Sequence, residues 1–253
     1  MTARERFTDK VIIVTGAAGG IGEAYARALA AEGASVVVAD RDAGKGAAVA
    51  SDIGSGDATA TFAEVDVADP ASTEALAATA VERFGGIDGL VNNAAIYGGM
   101  KLDFLMTVDW DYYRRFMSVN MDGALLCARA CYPEIAKRGG GAIVNQSSTA
   151  AWLYSGFYGL AKVAVNGITQ QLAHEMGGMN IRVNAIAPGP IDTEATRDTV
   201  PPSMLEDIVN GLALKRKGTP EDLVGMCLFL LSDEAGWITG QIFNVDGGQI
   251  IRS

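Results

Sequence analysis

Val11-Ile12-Ile13-Val14-Thr15-Gly16-Ala17-Ala18-Gly19-Gly20-Ile21-Gly22 is the stretch on which the fold turns. Its opening residues are a continuous apolar, β-branched run, the pattern of a strand buried on both faces. The run enters a glycine-rich turn, and an amphipathic helical pattern continues from there through Glu32. Glycines let a backbone pass close to a diphosphate, and a helix N-terminus offers free amide donors and a favourable dipole to it. A second apolar strand, Ser35 to Ala39, ends in Asp40. That is roughly twenty residues beyond the turn, where a carboxylate can accept from both hydroxyls of a ribose. A glycine cluster alone is weak; framed by strand, helix, strand and terminal acid, it points to a dinucleotide.

Working outward, strands and helices alternate along all 253 residues, with no Pro-rich or Ser-rich linker, repeat or low-complexity block. The chain therefore reads as one α/β domain over residues 1–253, a doubly wound parallel sheet flanked by helices on both faces. With 49% hydrophobic residues, the chain can fill a large core. Met1 to Thr8 is polar and charged, and no later apolar run has the length needed to span a membrane. Neither secretion nor membrane insertion is expected, and the expected location is the cytoplasm. The net charge of -10 argues against a nucleic-acid partner. Lys215-Arg216-Lys217 is too short to reverse this; it reads as a solvated loop, or as a basic spot at the mouth of a substrate site. Cys127, Cys131 and Cys227 lack CxxC spacing and read as reduced core or interface residues, so no metal is expected. The sole histidine, His174, sits in an ordinary amphipathic pattern, Leu172-Ala173-His174-Glu175-Met176, which argues against a Ser-His-Asp hydrolase.

Farther along, the apolar run Gly141-Ala142-Ile143-Val144-Asn145 gives way to a helical pattern carrying Tyr158 and Lys162, with Ser148 between. A tyrosine and a lysine four apart share one helix face. The ammonium can then favour the phenolate of Tyr158, which at its ordinary pKa of about 10 is too weak a base at neutral pH. Tyr-x-x-x-Lys is common by chance, so the surroundings carry the argument.

Those surroundings resemble the classical short-chain dehydrogenase/reductase family from about Lys10 to Gly248. Thr15 to Gly22 is similar to its TGxxxGxG motif, Asp66-Val67 to its adenine-binding pair, and Asn92-Asn93-Ala94-Ala95 to its NNAG element. Asn120 matches its helix asparagine, Tyr158 to Lys162 its YxxxK, and Ser148 the serine after the strand Ala142 to Asn145; Ser147 is the fallback for that role. Pro188-Gly189 with Ile191 and Thr193 matches the nicotinamide-side loop, and Asp246-Gly247-Gly248 the C-terminal turn. The chain departs from the family in two places: Ala95 replaces a glycine, and the Ser148 to Tyr158 connection is about three residues short, which reshapes the substrate pocket.

The resemblance implies a single-domain Rossmann fold and hydride transfer between nicotinamide and a secondary alcohol or ketone. Its catalytic set here is Asn120, Ser148, Tyr158 and Lys162. Tyr158 exchanges the proton, Lys162 lowers its pKa and holds the nicotinamide ribose, Ser148 donates to the substrate oxygen, and Asn120 holds a water linking Lys162 to solvent. Cofactor contacts are expected at Gly16, Ala18, Gly20, Ile21, Gly22, Asp40, Arg41, Asp66, Val67, Asn93, Ala94, Tyr158, Lys162, Pro188, Gly189, Ile191 and Thr193. Asp40 would repel a 2′-phosphate, and Gly19 stands where NADP-using members often carry a basic residue, so NAD is the expected cofactor; Arg41 leaves room for some NADP. Tyr97, Met100, Trp152, Leu153, Tyr154 and Phe157 should border an apolar pocket, under a lid at about 190–215. A hydrophobic cyclic, aromatic or terpenoid substrate is expected. The alternatives are reduction of a 3-oxoacyl thioester on CoA or acyl carrier protein, the carrier disfavoured by like charge, and a non-catalytic dinucleotide sensor. A homotetramer, with a dimer second, is expected through helices around Asp122 to Arg138 and Val163 to Met176, where Ala124, Leu125, Ala128, Ala164, Val165 and Ile168 suit close packing.

Overall fold

The opening apolar run forms strand β1 (Val11–Thr15), every residue of it buried, in a computed structural model that describes residues 5–55 and 59–251. Helix α1 (Gly20–Ala31) follows, then β2 (Ser35–Asp40), α2 (Ala43–Ile53), β3 (Thr59–Glu64), α3 (Pro70–Phe84) and β4 (Gly89–Asn92). After α4 (Trp110–Met117) a π-turn at Ser118–Asp122 leads into α5 (Gly123–Lys137) and β5 (Gly141–Gln146). A 3₁₀ turn at Thr149–Trp152, α6 (Gly156–Met176), β6 (Ile181–Pro188), α7 (Glu194–Thr199), α8 (Pro202–Gly211), α9 (Pro220–Leu231) and β7 (Ile242–Val245) complete the order. Local chemistry sets the boundaries. Asp69 accepts from the Ala71 amide at 3.0 Å to cap α3, Pro70 opens it, and Gly85 closes it at φ +82°. Thr219 and Asp222 form a reciprocal capping box on α9.

All strand pairs are parallel, in the order β3-β2-β1-β4-β5-β6-β7. The chain builds outward from β1 to β3, then returns to β1's other side for β4 to β7. This reversal opens a crevice beyond the carboxyl ends of β1 and β4. Period-two alternation divides the core: Ile12 and Val14 pack with residues of α1, α2 and α9, whereas Val11 and Ile13 pack with those of α3, α5 and α6. Each such fully buried aliphatic side chain is worth roughly 1.5–3 kcal/mol. At the opposite end of the sheet the buried Asp88 accepts from the Val11 amide at 2.9 Å and pairs with Arg138 at 3.1 Å.

Two of the six residues expected at an association surface lie in the core. Ala128 is 0% and Val165 2% exposed; both face inward, because the small side chains on these helix faces are what let α5 and α6 approach the sheet. Cys127, Cys131 and Cys227 are all buried, and burial pushes the Cys127 thiol up to about 12. His174 is exposed. Among the described residues no helix is long and apolar enough to cross a membrane. Residues 1–4 of the polar opening stretch lie outside the described residues.

Candidate active site

The glycine turn is held by residues far along the chain. Thr15 Oγ1 donates to the Val91 carbonyl at 3.3 Å and accepts from the amides of Asn93 and Ala94, both at 3.1 Å. Asn93 Nδ2 returns two bonds, to the carbonyls of Thr15 at 3.0 Å and Gly16 at 2.9 Å. Both hydrogens of the Asn93 side-chain amide are thus spent on bracing the turn. Gly16 (φ +65°) lies so close to the Ala94 backbone that a Cβ would stand 2.8 Å from Ala94 Cα. A Cβ on Gly19 would meet nothing within 4 Å, and no side chain caps α1. Unfilled space above uncapped amides fits a diphosphate. Asp40 braces the same turn, accepting from the Ala18 amide at 3.0 Å and the Asp42 amide at 2.9 Å. Arg41 beside it is exposed. Asp66 is partly desolvated, but the Ala68 amide and Arg115 outweigh this and hold its carboxyl below the usual range. Val67 is buried against Gly123.

Ser148, Tyr158 and Lys162 come together at the carboxyl end of β5. Ser148 caps the 3₁₀ turn, accepting from the Ala150 amide at 3.1 Å, and its hydroxyl faces the Tyr158 phenol closely enough to oppose the effect of burial on it. Ser147, the fallback, instead donates to Asn166 Oδ1 at 2.6 Å. That difference assigns the position at the phenol to Ser148. Gly156 (φ +60°) starts α6 beside the Asp103 carbonyl, and Gly159 lies under the Ala150 carbonyl, so backbone packing fills the short connection.

Lys162 is 4% exposed and donates through Nζ to the Gln146 carbonyl at 2.8 Å. Burial lowers its pKa to about 8, which leaves the ammonium charged at pH 7. Nζ stands 5.8 Å from the centroid of the Tyr158 ring. The expectation that Lys162 lowers the phenol is not met in the protein by itself. Burial raises the Tyr158 pKa, the Ser148 hydroxyl opposes this, and Tyr97 adds to it. The ammonium is directed at a backbone carbonyl, so desolvation wins.

Asn120 also takes a role not expected of it. It lies in the π-turn, where Oδ1 accepts from the Ile96 amide at 2.6 Å and Nδ2 donates to the Ile96 carbonyl at 3.0 Å. Its side chain therefore fixes the loop after β4 with one acceptance and one donation, which leaves one of each free. A cavity of about 10 Å³ lies among Thr15, Asn92, Asn120, Gln146 and Lys162. That is close to the room one water requires. Asn92 Oδ1 and Gln146 Nε2, on residues lining it, are buried without a protein partner. Asn92 also donates to Asn145 Oδ1 at 2.9 Å, and Asn145 to Thr169 at 2.9 Å. Sequence reasoning missed this network, although amides ending the apolar runs of β4 and β5 were a readable signal.

Around the phenol, Tyr97 packs with its ring centroid 5.4 Å from that of Tyr158, and Met100 is half-buried nearby. Phe157, expected in the pocket, is 2% exposed and stacks edge-on against Phe116 at 4.7 Å. It points into a small aromatic core, the side of α6 away from solvent, and lines no pocket there. Leu153 and Tyr154 are exposed and Trp152 is half-buried. Pro188 ends β6, Gly189 donates to the Val245 carbonyl at 3.2 Å, and Ile191 is buried. Thr193 caps α7 and reaches over the glycine turn, 3.7 Å from where a Cβ on Gly20 would stand. The basic cluster is tied down: Lys215 donates to the Asn210 carbonyl at 2.7 Å, Arg216 pairs with Asp222 and Lys217 with Asp192.

Comparison with known proteins agrees with this geometry. A family model described as Enoyl-(Acyl carrier protein) reductase matches residues 16–249. An uncharacterized oxidoreductase of Mycobacterium tuberculosis is 70% identical over 247 residues, covering 98% of this chain and 100% of that one. Dehydrogenase/reductase SDR family member 4 of Homo sapiens is 41% identical, covering 98% of this chain and 90% of its own. The structure of a short-chain type dehydrogenase/reductase from Mycobacterium ulcerans superposes with a TM-score of 0.89 at 32% identity, covering 96% of this chain and 90% of the other. The chain belongs to the short-chain dehydrogenase/reductase family of oxidoreductases.

Proposed function

We propose that this chain is an NAD-dependent oxidoreductase that interconverts a secondary alcohol and a ketone, on a hydrophobic cyclic, aromatic or terpenoid substrate. The observation that carries the proposal is the convergence of Ser148, Tyr158 and Lys162 beside a glycine turn whose helix amides are uncapped. The dinucleotide, when bound, supplies the hydride acceptor or donor. The amides of the turn would take its diphosphate and Asp40 a ribose free of 2′-phosphate. In oxidation Tyr158, as phenolate, takes the hydroxyl proton while the carbon-bound hydride leaves with its electron pair; in reduction the phenol returns the proton. Ser148 donates to the oxygen on which charge develops. Lys162, cationic below about pH 8, supplies positive potential to a phenol that burial alone would keep protonated. We further propose that α7 and α8 form the lid, that the water-sized cavity beneath Lys162 links it to the amide network, and that the protein is a cytoplasmic homotetramer with a dimer second. Leu160 and Val163, exposed on α6, support association.

A 3-oxoacyl thioester reductase is the second reading, favoured by the acyl carrier protein in the family model's description. The net charge of -10 and Asp40 weigh against a carrier and against NADP. The test is absorbance of NADH and NADPH formed with terpenols, steroids, aryl alcohols, polyols and 3-hydroxyacyl-CoA. NAD turnover on a cyclic or aromatic alcohol is expected, with Tyr158→Phe losing roughly 10²–10⁴-fold while still binding NADH. Activity confined to acyl thioesters with NADP overturns the substrate and cofactor assignments. Unchanged turnover in Tyr158→Phe overturns the mechanism, and full function without turnover fits a dinucleotide sensor.

A further inference from the structure

Thr193, Thr196 and Thr199 recur at every third position through α7 and its cap. Thr193 accepts from the Thr196 amide at 3.1 Å, and the two hydroxyls lie 3.0 Å apart. The Thr196 side chain lies beside the Tyr97 phenol and opposes the rise that burial gives its pKa. Thr199 Oγ1 donates to the Tyr97 carbonyl at 2.6 Å and accepts from the Gly99 amide at 2.9 Å. Thr196 is 4% and Thr199 8% exposed. Between these bonds Gly98 faces Ala195, with 3.4 Å between a Cβ built on the glycine and Ala195 Cβ. One residue, Tyr97, is therefore held by α7 at its carbonyl and faced by it at its phenol, while its ring lies against that of Tyr158. The neighbouring α8 buries no residue.

We propose that Tyr97 is a positioning residue for proton transfer at Tyr158, and that Thr196 and Thr199 clasp it there, so that seating the lid and setting the catalytic phenol are one event. This rests on the reading of Tyr158 as the proton-transfer group. Bonds spanning about a hundred residues form only when α7 is seated, and releasing them frees the ring that backs Tyr158. The clasp also spans the route from the glycine turn, under Thr193, to the substrate side of the phenol. Opening the lid and letting the dinucleotide leave then require the same bonds to break.

The test compares Thr199→Val, Thr199→Ser and Tyr97→Phe with the wild type, using NADH as the probe. Dissociation of NADH by stopped-flow fluorescence and hydrogen exchange at the Gly99 amide need no substrate. Thr199→Val should release NADH about tenfold faster, on the scale of the lost hydrogen bonds, and should expose the Gly99 amide. With the cyclic alcohol turned over best, its kcat should fall about as much, with KM little changed. Thr199→Ser, which keeps the hydroxyl, should restore all three to within about twofold, and Tyr97→Phe should fall between. Wild-type NADH release and kcat in Thr199→Val would overturn the proposal, as would failure of a folded Thr199→Ser, which would make the methyl contact the cause. Loss of turnover in Tyr158→Phe alongside intact clasp variants sinks the clasp and spares the mechanism. If no alcohol is turned over, the mechanism falls, and NADH release with Gly99 exchange still decides the clasp.

Discussion

The glycine turn and the proposed lid of α7 and α8 lie across one crevice and are built in opposite ways. In the turn, backbone meets backbone: Gly16 lies on Ala94, Gly22 under the Gly16 carbonyl, and Asn93 and Thr15 lace the two together. In the lid, α8 is held by no buried side chain, and the fixed part is three hydroxyls on α7. Main-chain contact leaves one acceptable residue at each place, and a solvent-facing helix leaves many. On the proposed reading, nucleotide binding sits on the side that cannot vary, and substrate choice on the side that can.

The sharpest way to break this contrast is Gly22→Ala, whose Cβ would overlap the Gly16 carbonyl oxygen. It should cost about 3 kcal/mol or more of stability, read by thermal unfolding. Gly19→Ala, three residues away with open space around it, should leave stability unchanged and weaken NADH binding in a fluorescence titration; equal unfolding temperatures for the two variants would refute the packing argument. Next comes Lys162→Met. Burial sets the folded pKa of Lys162 at about 8, below its ordinary 10.5, so between these values the unfolded chain binds the extra proton and wild-type stability gains as pH rises. Denaturant unfolding should show the wild type gaining about 2–3 kcal/mol on the variant from pH 8 to 10.5; parallel curves would mean the ammonium is not desolvated. The smallest effect belongs to the lid. Met204→Ala, on a half-exposed side chain, should change stability by under about 0.5 kcal/mol and alter KM for bulky alcohols more than for small ones, in steady-state assays.

What was legible in the sequence follows the same division. The parallel sheet, the crevice at β1 and β4, and Asp40 at the end of β2 all follow from periodicity, which is a local property, whereas the preference for Ser148 over Ser147 came from the family resemblance. Phe157 was misread because an aromatic on an amphipathic helix looks the same whether it faces a pocket or Phe116. The direction of Lys162 depends on the Gln146 carbonyl, and that of the Asn120 amide on Ile96, 24 positions away. The clasp on Tyr97 joins residues about a hundred positions apart, a pairing no window of sequence contains. The amides of β4 and β5 were visible as polar residues in apolar strands, but their linkage needed the register Asn92 to Asn145.

The bracing of the glycine turn has a further consequence for how the chain is born. Asn93 and Ala94 reach Thr15 and Gly16 across 77 to 79 positions of sequence, and β4 must dock beside β1 before those bonds exist. A growing chain that has released its entire glycine motif from the ribosome still lacks the groups that shape it. Nucleotide therefore cannot nucleate the first half of the sheet; it rewards a chain that has already closed the long loop from β1 to β4. Cellular dinucleotide would thus act only after β4 has paired with β1, favouring chains in which that pairing has formed.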